Sequence, residues 1–202
     1  ENNVLKTFSI ENEPVVELVN NREREYIFAD LPDIGYSTDI DTVMASSYQV
    51  KKQLQQIVKI EQPITNTLLY KRILRIWNLT RVTTRLQVFI DNLLEDAYKD
   101  PLSGDTIIYW EDEEKAKDCD FYRINSKRDI LDIPILEVMS AARYAIEQQI
   151  SMPTEDLKRL TSQLLGFSRK GNNLDMVTEQ TIQLLIDQGI FSHANGMVSM
   201  NN

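Results

Sequence analysis

Cysteine and histidine are almost absent from this sequence, which holds one of each, Cys119 and His193, in 202 residues. A single cysteine cannot form a disulfide within the chain. One cysteine with one histidine cannot supply an ordinary zinc site, so we expect no metal ion. Because Cys119 lies among acidic residues, we expect a surface thiol whose pKa is raised by the neighbouring negative charge.

Long apolar runs and nucleotide-binding loops are also missing. No stretch approaches the roughly 18 apolar residues that a membrane span requires, and the N-terminus lacks the order of a signal peptide. No glycine-rich turn precedes Lys-Ser or Lys-Thr, and the consecutive carboxylates from Glu111 to Glu114 should diverge in water. We therefore predict a soluble, cytoplasmic, non-enzymatic chain with no cofactor, no membrane contact and no small-molecule substrate.

The most informative feature that is present is an internal repeat. Shifting the chain by 88 positions without a gap superimposes one helical region on another, although Ile73 then meets Thr161 and Ile90 meets Thr178. Such a repeat indicates an old duplication and determines the fold. The matched apolar pairs include Val50/Val138, Leu54/Ala142, Leu69/Leu157, Trp77/Leu165, Leu86/Leu174, Phe89/Val177 and Leu94/Ile182.

Three helices are predicted in the first copy, over residues 44–60, 67–77 and 80–97. Apolar residues recur at helical spacing in each of them, Pro63 ends the first, and Thr65 or Asn66 can cap the second. The third helix should bury a wide apolar stripe and turn Arg81, Thr84 and Arg85 away from it. The stripe consists of Leu86, Phe89, Ile90, Leu93, Leu94 and Ala97.

Two β-rich runs should follow as a wing, Thr106–Trp110 and Phe121–Ile124, with an acidic loop between them. The pattern then restarts with helices from about 135, 151 and 168, and closes with a hairpin at Asn195-Gly196. We predict a mostly α chain with small β-hairpins (α+β), built as tandem winged helix-turn-helix units. Their expected bounds are 45–130 and 131–202, after a linker or the edge of a preceding domain at 1–44.

Basic charge is concentrated in one region, although the chain as a whole has a net charge of −9. Residues 51–100 carry nine basic and five acidic side chains, so the first copy could contact a phosphate backbone. The alternative is that these basic side chains simply lie on a solvated helix surface without a ligand. In the first copy this alternative is as well supported as nucleic-acid contact, and in the second copy it is favoured. The candidate nucleic-acid contacts are Lys71, Arg72, Arg75, Arg81, Thr84, Arg85, Arg169 and Lys170.

The second copy resembles a known family in the run from Ala145 to Ile190, through Ile150-Ser151, Pro153, Glu155-Asp156-Leu157 and Leu165-Gly166-Phe167 with Arg169. This run is similar to the C-terminal domain of unknown function of large bacterial helicase-like proteins of superfamily 1, and residues 61–81 resemble the upstream half of such tails. The resemblance implies a position behind helicase or nuclease-like domains of the same polypeptide. It implies no catalytic residue.

Two functions compete on this sequence. The first is a DNA-binding accessory module of a helicase-like protein, which the basic region of the first copy favours. The second is a protein-interaction or scaffolding tail without nucleic-acid contact, which the overall acidity favours.

Overall fold

A computed structural model describes residues 20–36, 38–103 and 106–201 as a mixed structure of helices and small sheets, which confirms the α+β class. The elements in chain order are β1 (Glu23–Glu25), α1 (Ile40–Ala45), α2 (Ser47–Glu61), β2 (Ile64–Thr65), α3 (Asn66–Ile76), α4 (Thr84–Leu93), β3 (Tyr98–Lys99), β4 (Ile108–Trp110), α5 (Glu113–Lys117), β5 (Tyr122–Ile124), α6 (Ile135–Glu147), β6 (Met152–Pro153), α7 (Thr154–Leu164), α8 (Asn172–Asp187), β7 (Phe191–Ala194) and β8 (Met197–Met200). Two short 3-10 turns lie at Pro101–Ser103 and Ile130–Asp132.

Two parts of the chain share one order of elements, and we call them the first unit (47–110) and the second unit (135–200). Each has a helix, a short strand, two helices and two strands, and the antiparallel sheets have the orders β2-β4-β3 and β6-β8-β7. The three helices and the first strand of each unit begin 88 residues apart, which is the shift that aligns the sequence, whereas the last two strands do not keep this spacing because α8 is longer than α4. The pairs of first residues are Ser47 and Ile135, Ile64 and Met152, Asn66 and Thr154, and Thr84 and Asn172.

Local signals explain where these helices begin and end. The Thr65 hydroxyl accepts a hydrogen bond from the Leu68 amide at 3.3 Å, and Thr83 caps α4 in the same way, so α4 begins later than residue 80. After α3 and α7 the backbone turns left-handed at equivalent positions, Asn78 with φ 46° and Gly166 with φ 88°. Asparagine and glycine tolerate this conformation, which ends both second helices.

The predicted apolar stripe of α4 is buried in the first unit. Leu86, Ile90 and Leu94 are fully covered, while Phe89 and Leu93 pack against the same core as partly buried residues. The counterparts in the second unit divide between two clusters, because Leu174 and Val177 pack beside Tyr122 and Ile182 packs beside Phe191. The two cores are therefore not identical in composition or extent.

The predicted wing is wrong in its pairing. β4 pairs with β2 and β3, whereas β5 lies parallel to β1 with Tyr122 opposite Glu23. The acidic segment between β4 and β5 contains the short helix α5 and is not a hairpin loop. The closing hairpin is confirmed, since β7 and β8 are joined through Asn195 and Gly196, both with positive φ.

Residues between 29 and 43 contribute to the core, although a linker or domain edge was expected at 1–44. Ala29, Leu31 and Val43 are buried with the side chains of the first unit, and the Ile34 amide donates to the Ile76 carbonyl at 2.9 Å. The first 19 residues of the expected linker lie outside the described residues.

Candidate nucleic-acid interface

Each of the three candidate cations of α3 contacts a carboxylate, but only Arg72 faces the interior, since the side chains of Lys71 and Arg75 are 53% and 48% exposed. We call residues 20–36 the N-terminal arm. A nucleic-acid contact must be exposed, so the candidate Arg72 was expected at the surface, but its side chain is only 15% exposed. Its Nε lies 2.9 Å from Oε1 of the fully buried Glu61, and its Nη2 lies 2.7 Å from the Tyr26 hydroxyl. The exposure prediction for Arg72 is therefore wrong, because a buried carboxylate requires a cation beside it.

Lys71 and Arg75, also on α3, have carboxylate partners of their own. The Lys71 Nζ lies 2.6 Å from Asp132, a nearly buried residue just before the second unit. The Arg75 guanidinium lies 3.2 Å from Asp30 and 4.9 Å from the centre of the Phe28 ring, both in the N-terminal arm. These contacts give Lys71 and Arg75 a carboxylate partner each and point the two side chains toward different parts of the molecule, although the Arg75–Asp30 pair is exposed to solvent.

The candidate residues at the start of α4 are exposed. Thr84 is the first residue of α4, and the Arg85 guanidinium lies 2.8 Å from the exposed Asp41 of α1. Arg81 makes no ion pair within the part of the chain that the structure describes. A solvent-exposed pair such as Arg85–Asp41 contributes little to stability, but its carboxylate still lowers the positive potential of this surface.

The second unit presents a different electrostatic surface. Arg169 and Lys170 are exposed in the turn between α7 and α8, where they line a cavity of about 190 Å³. On α8 itself, Asp175 and Glu179 lie 2.7 and 2.9 Å from the Nζ of the nearly buried Lys158. Burial alone would lower the pKa of Lys158, but hydrogen bonds to these carboxylates and to Glu155 raise it.

Equivalent positions join the second and third helices in both units. In the first unit the Tyr70 hydroxyl lies 2.8 Å from both carboxylate oxygens of Asp91. In the second unit Lys158 and Glu179 stand 88 positions later and make the same connection at 2.9 Å. Burial, and then Asp91, raise the pKa of Tyr70, so this phenol stays a hydrogen-bond donor at all ordinary pH values.

A buried ionic group joins the two units, and we call Arg123, Arg128 and Glu137 the junction cluster. Glu137 is 0% exposed, and both Arg128 terminal nitrogens contact its carboxylate at 2.7 and 2.8 Å. Burial alone would raise the pKa of Glu137, but Arg123 and Arg128 lower it to about 2. Arg123 also donates to the carbonyls of Glu61 and Pro63 at 2.7 and 2.6 Å, so it holds the end of α2 against α6.

Sequence reasoning missed the junction cluster. One signal was present, because Glu137 interrupts an otherwise apolar face of α6 that includes Val138, Ala141 and Ala145. A carboxylate on such a face needs a buried cation, but helical periodicity does not say which arginine supplies it.

Four large aromatic residues that could stack on bases if they were exposed lie in the interior. Trp77, Trp110, Tyr109 and Tyr122 are all nearly or fully buried, so none of them presents a ring to a base. Cys119 is half-buried and not a surface residue. Burial, and then Glu137, raise the pKa of its thiol to about 12, so the larger cause is desolvation and not the neighbouring acids.

Clusters of metal-ligand side chains and membrane-spanning helices were sought in the described ranges 20–36, 38–103 and 106–201. Within them, no three carboxylate, histidine or cysteine side chains converge where a metal ion could bind. Over the same ranges, no helix combines the length and the apolar character that crossing a bilayer requires.

Comparison with known proteins gives one match. The pattern of a family described as "Protein of unknown function (DUF3320)" matches residues 45–88, which cover α2, β2, α3 and the start of α4. No curated protein and no solved structure matches the chain. The match lies in the first unit, whereas the resemblance seen in the sequence was stronger in the second.

Proposed function

We propose that the first unit and the second unit are the cores of two tandem winged-helix domains that arose by duplication, with domain bounds near 45–130 and 131–202. The shared order of elements, the equivalent sheet orders and the 88-residue spacing support this assignment. In the first unit the wing is then formed by β3 and β4, directly after α4.

The pair of units acts as a non-catalytic protein-interaction module that makes no nucleic-acid contact of its own. The observation that carries this proposal is the pairing of four of the seven candidate cations: Lys71, Arg72, Arg75 and Arg85 each lie within 4 Å of a carboxylate. A phosphate backbone would have to displace those carboxylates or bind beside them, and either costs Coulomb energy.

The third helices support the same function. In a winged helix the third helix presents its outer side to a ligand, and here that side carries an exposed apolar residue at equivalent positions. Val88 on α4 is 54% exposed and Met176 on α8 is 46% exposed. Asp175 and Glu179 flank Met176 on α8, and such acidic-apolar surfaces suit proteins better than nucleic acids.

DNA binding remains the second candidate because Arg81 is exposed and, in the described ranges, unpaired. With Arg85 it offers two phosphate contacts, for which the counterion-release relation gives a log-log salt slope of about −2. Binding of that kind would be weak and independent of base sequence. The resemblance to helicase tails is compatible with either function, since an accessory module can recruit partners to upstream helicase or nuclease-like domains of the same polypeptide.

A DNA titration separates the two candidates. Fluorescence anisotropy of labelled duplex and single-stranded DNA, at about 50 mM salt, should show no saturable binding up to about 100 μM protein. The comparison variant combines Arg81→Glu with Arg85→Glu. Its matched control reverses two exposed charges on α5, Lys115→Glu with Lys117→Glu.

Saturable binding that the α4 variant loses and the α5 control retains would show that the proposal is wrong. In that case the start of α4 would be a nucleic-acid contact.

A further inference from the structure

The N-terminal arm consists of two halves that are held in different ways. Its second half, residues 28–36, is anchored in the first unit, because Ala29 and Leu31 are buried in the core of that unit. Its first half, residues 20–27, contains no buried residue, and we call it the latch. Detaching the latch would uncover no buried apolar side chain of its own, whereas detaching the anchored half would open the core.

The anchored half begins at Phe28, which α3 holds from one side. The guanidinium groups of Arg72 and Arg75 lie 4.4 and 4.9 Å from the centre of the Phe28 ring. Ile27, the residue before it, is 66% exposed. The boundary between the two halves therefore falls at Ile27.

An arginine of the latch reaches the second unit. The terminal nitrogens of Arg22 lie 2.6 and 3.0 Å from the two carboxylate oxygens of Glu147 on α6, and its Nε lies 3.0 Å from Asp120. Such a forked contact with a carboxylate is among the stronger hydrogen-bonded pairs. Both carboxylates are partly exposed to water, so dissolved salt weakens this attachment.

Two backbone hydrogen bonds fasten the strand of the latch to the rest of the fold. β1 runs parallel to β5, the Tyr26 amide donates to the Ile124 carbonyl at 3.1 Å, and the Tyr122 amide donates to the Arg22 carbonyl at 2.9 Å. Both amides lose their acceptors when β1 leaves β5. They therefore report whether the latch is open or shut.

The side chain of Tyr26 covers the junction cluster. Its ring centre lies 5.1 and 4.4 Å from the guanidinium carbons of Arg123 and Arg128. Its hydroxyl donates to Glu61 and accepts a hydrogen bond from Arg72 at 2.7 Å. The shut latch thus lies over two of the three members of the cluster that holds α2 against α6.

We propose that the latch opens and shuts as one segment about Ile27, while the anchored half and both units stay folded. When the latch is shut, Tyr26 shields Arg123 and Arg128 from water. When it is open, water reaches these guanidinium groups and weakens their ion pairs, because a higher dielectric constant lowers the Coulomb energy. The latch thereby regulates the contact between the two units, and this role does not depend on the proposed interaction function.

Residue-resolved amide hydrogen exchange of the full chain, followed by NMR in urea below the unfolding transition, tests this proposal. After correction for intrinsic rates, the Tyr26 and Tyr122 amides should share one opening equilibrium with almost no urea dependence, because opening exposes little surface. The Ile34 amide, which donates to the Ile76 carbonyl in the anchored half, should exchange at least about a hundredfold more slowly and respond to urea.

Arg22→Gln removes the ion pairs of the latch. It should speed the exchange of both latch amides by at least about tenfold and leave the Ile34 amide unchanged. Arg143→Gln is the matched control, because the Arg143 guanidinium lies 3.4 Å from the same Asp120 carboxylate but belongs to α6 and not to the latch. This control should exchange as the wild type does.

Salt and trypsin give two independent readouts. Raising sodium chloride from about 50 mM to about 500 mM should speed the exchange of the latch amides several-fold in the wild type, and Arg22→Gln should lose most of this salt dependence. Trypsin should cut after Arg24, which lies within β1, faster in Arg22→Gln than in the wild type, because a protease acts on the open segment. Arg143→Gln should be cut at the wild-type rate.

The proposal is overturned if the Tyr26, Tyr122 and Ile34 amides exchange with one opening equilibrium and one urea dependence, since the arm would then open only with the whole fold. It is also overturned if Arg22→Gln has no larger effect than Arg143→Gln. A third refuting result is that the two latch amides show no protection, since the latch would then never be shut. These measurements involve no ligand, so failure here is distinct from failure of the proposed function.

Discussion

Glu137→Gln in the junction cluster should destabilise the protein strongly. Glutamine keeps the volume of the side chain but removes the negative charge, which leaves the buried guanidinium groups of Arg123 and Arg128 without a counter-charge. Breaking a buried pair in this way costs about 3–5 kcal/mol. For a chain of this size we therefore expect the melting temperature to fall by roughly 6–20 °C at neutral pH.

The pH dependence gives a second measurement of the same contact. The pKa of Glu137 is lowered from 4.5 to about 2 in the folded protein, so its carboxylate stabilises the fold fully above about pH 4.5. This contribution is on the order of 3 kcal/mol and is lost as the pH falls from about 4.5 toward 2. Urea unfolding of wild type across this range should show the loss, and Glu137→Gln should show a smaller pH slope.

Glu113→Gln is the control, because Glu113 pairs with Lys117 on the exposed surface of α5. It should change stability by less than about 1 kcal/mol. If Glu137→Gln costs no more than this control and keeps the wild-type pH slope, the junction cluster does not contribute what its burial and geometry imply.

Three further predictions concern single residues. Tyr70→Phe and Lys158→Met should each lower the free energy of unfolding by about 1 kcal/mol in urea titrations, because each substitution removes the contact between the second and third helices of its unit. If neither substitution changes the free energy of unfolding, these contacts do not stabilise the units. Ala97→Leu should raise the melting temperature by a few degrees, because Ala97 lines a groove of about 370 Å³ between α2, the end of α4 and β4, where a leucine would bury more apolar surface. A fall in melting temperature would mean that the groove cannot accept the side chain. Iodoacetamide should alkylate Cys119 at least about a hundredfold more slowly at pH 8 than in the urea-unfolded chain, because the folded thiol has a pKa of about 12; equal rates would refute its burial.

Local features of the fold follow from the sequence alone. The periodic apolar residues of α2, α3 and α4, the turn at Asn195-Gly196 and the 88-residue spacing all depend on neighbours within a few positions or on similarity between two segments. Helix ends were less accurate: Ser46 separates α1 from α2, and the Thr83 cap shortens α4. A cap or a break depends on the conformation of single residues, which periodicity does not report.

Partners that are distant in the sequence were decided only by the tertiary structure. β-propensity identified the strands near Ile108 and Tyr122, but β4 pairs with a two-residue strand at Tyr98 and β5 pairs with Glu23–Glu25, which has little β-propensity. Charge counts identified the basic region around α3, but not that Arg72 lies against Glu61 and Tyr26. Strand pairing and ion pairing depend on which surfaces come into contact when the core is buried. The sequence by itself therefore determined that the chain has two similar units. Only their packing decided which charged side chains remain available to a partner.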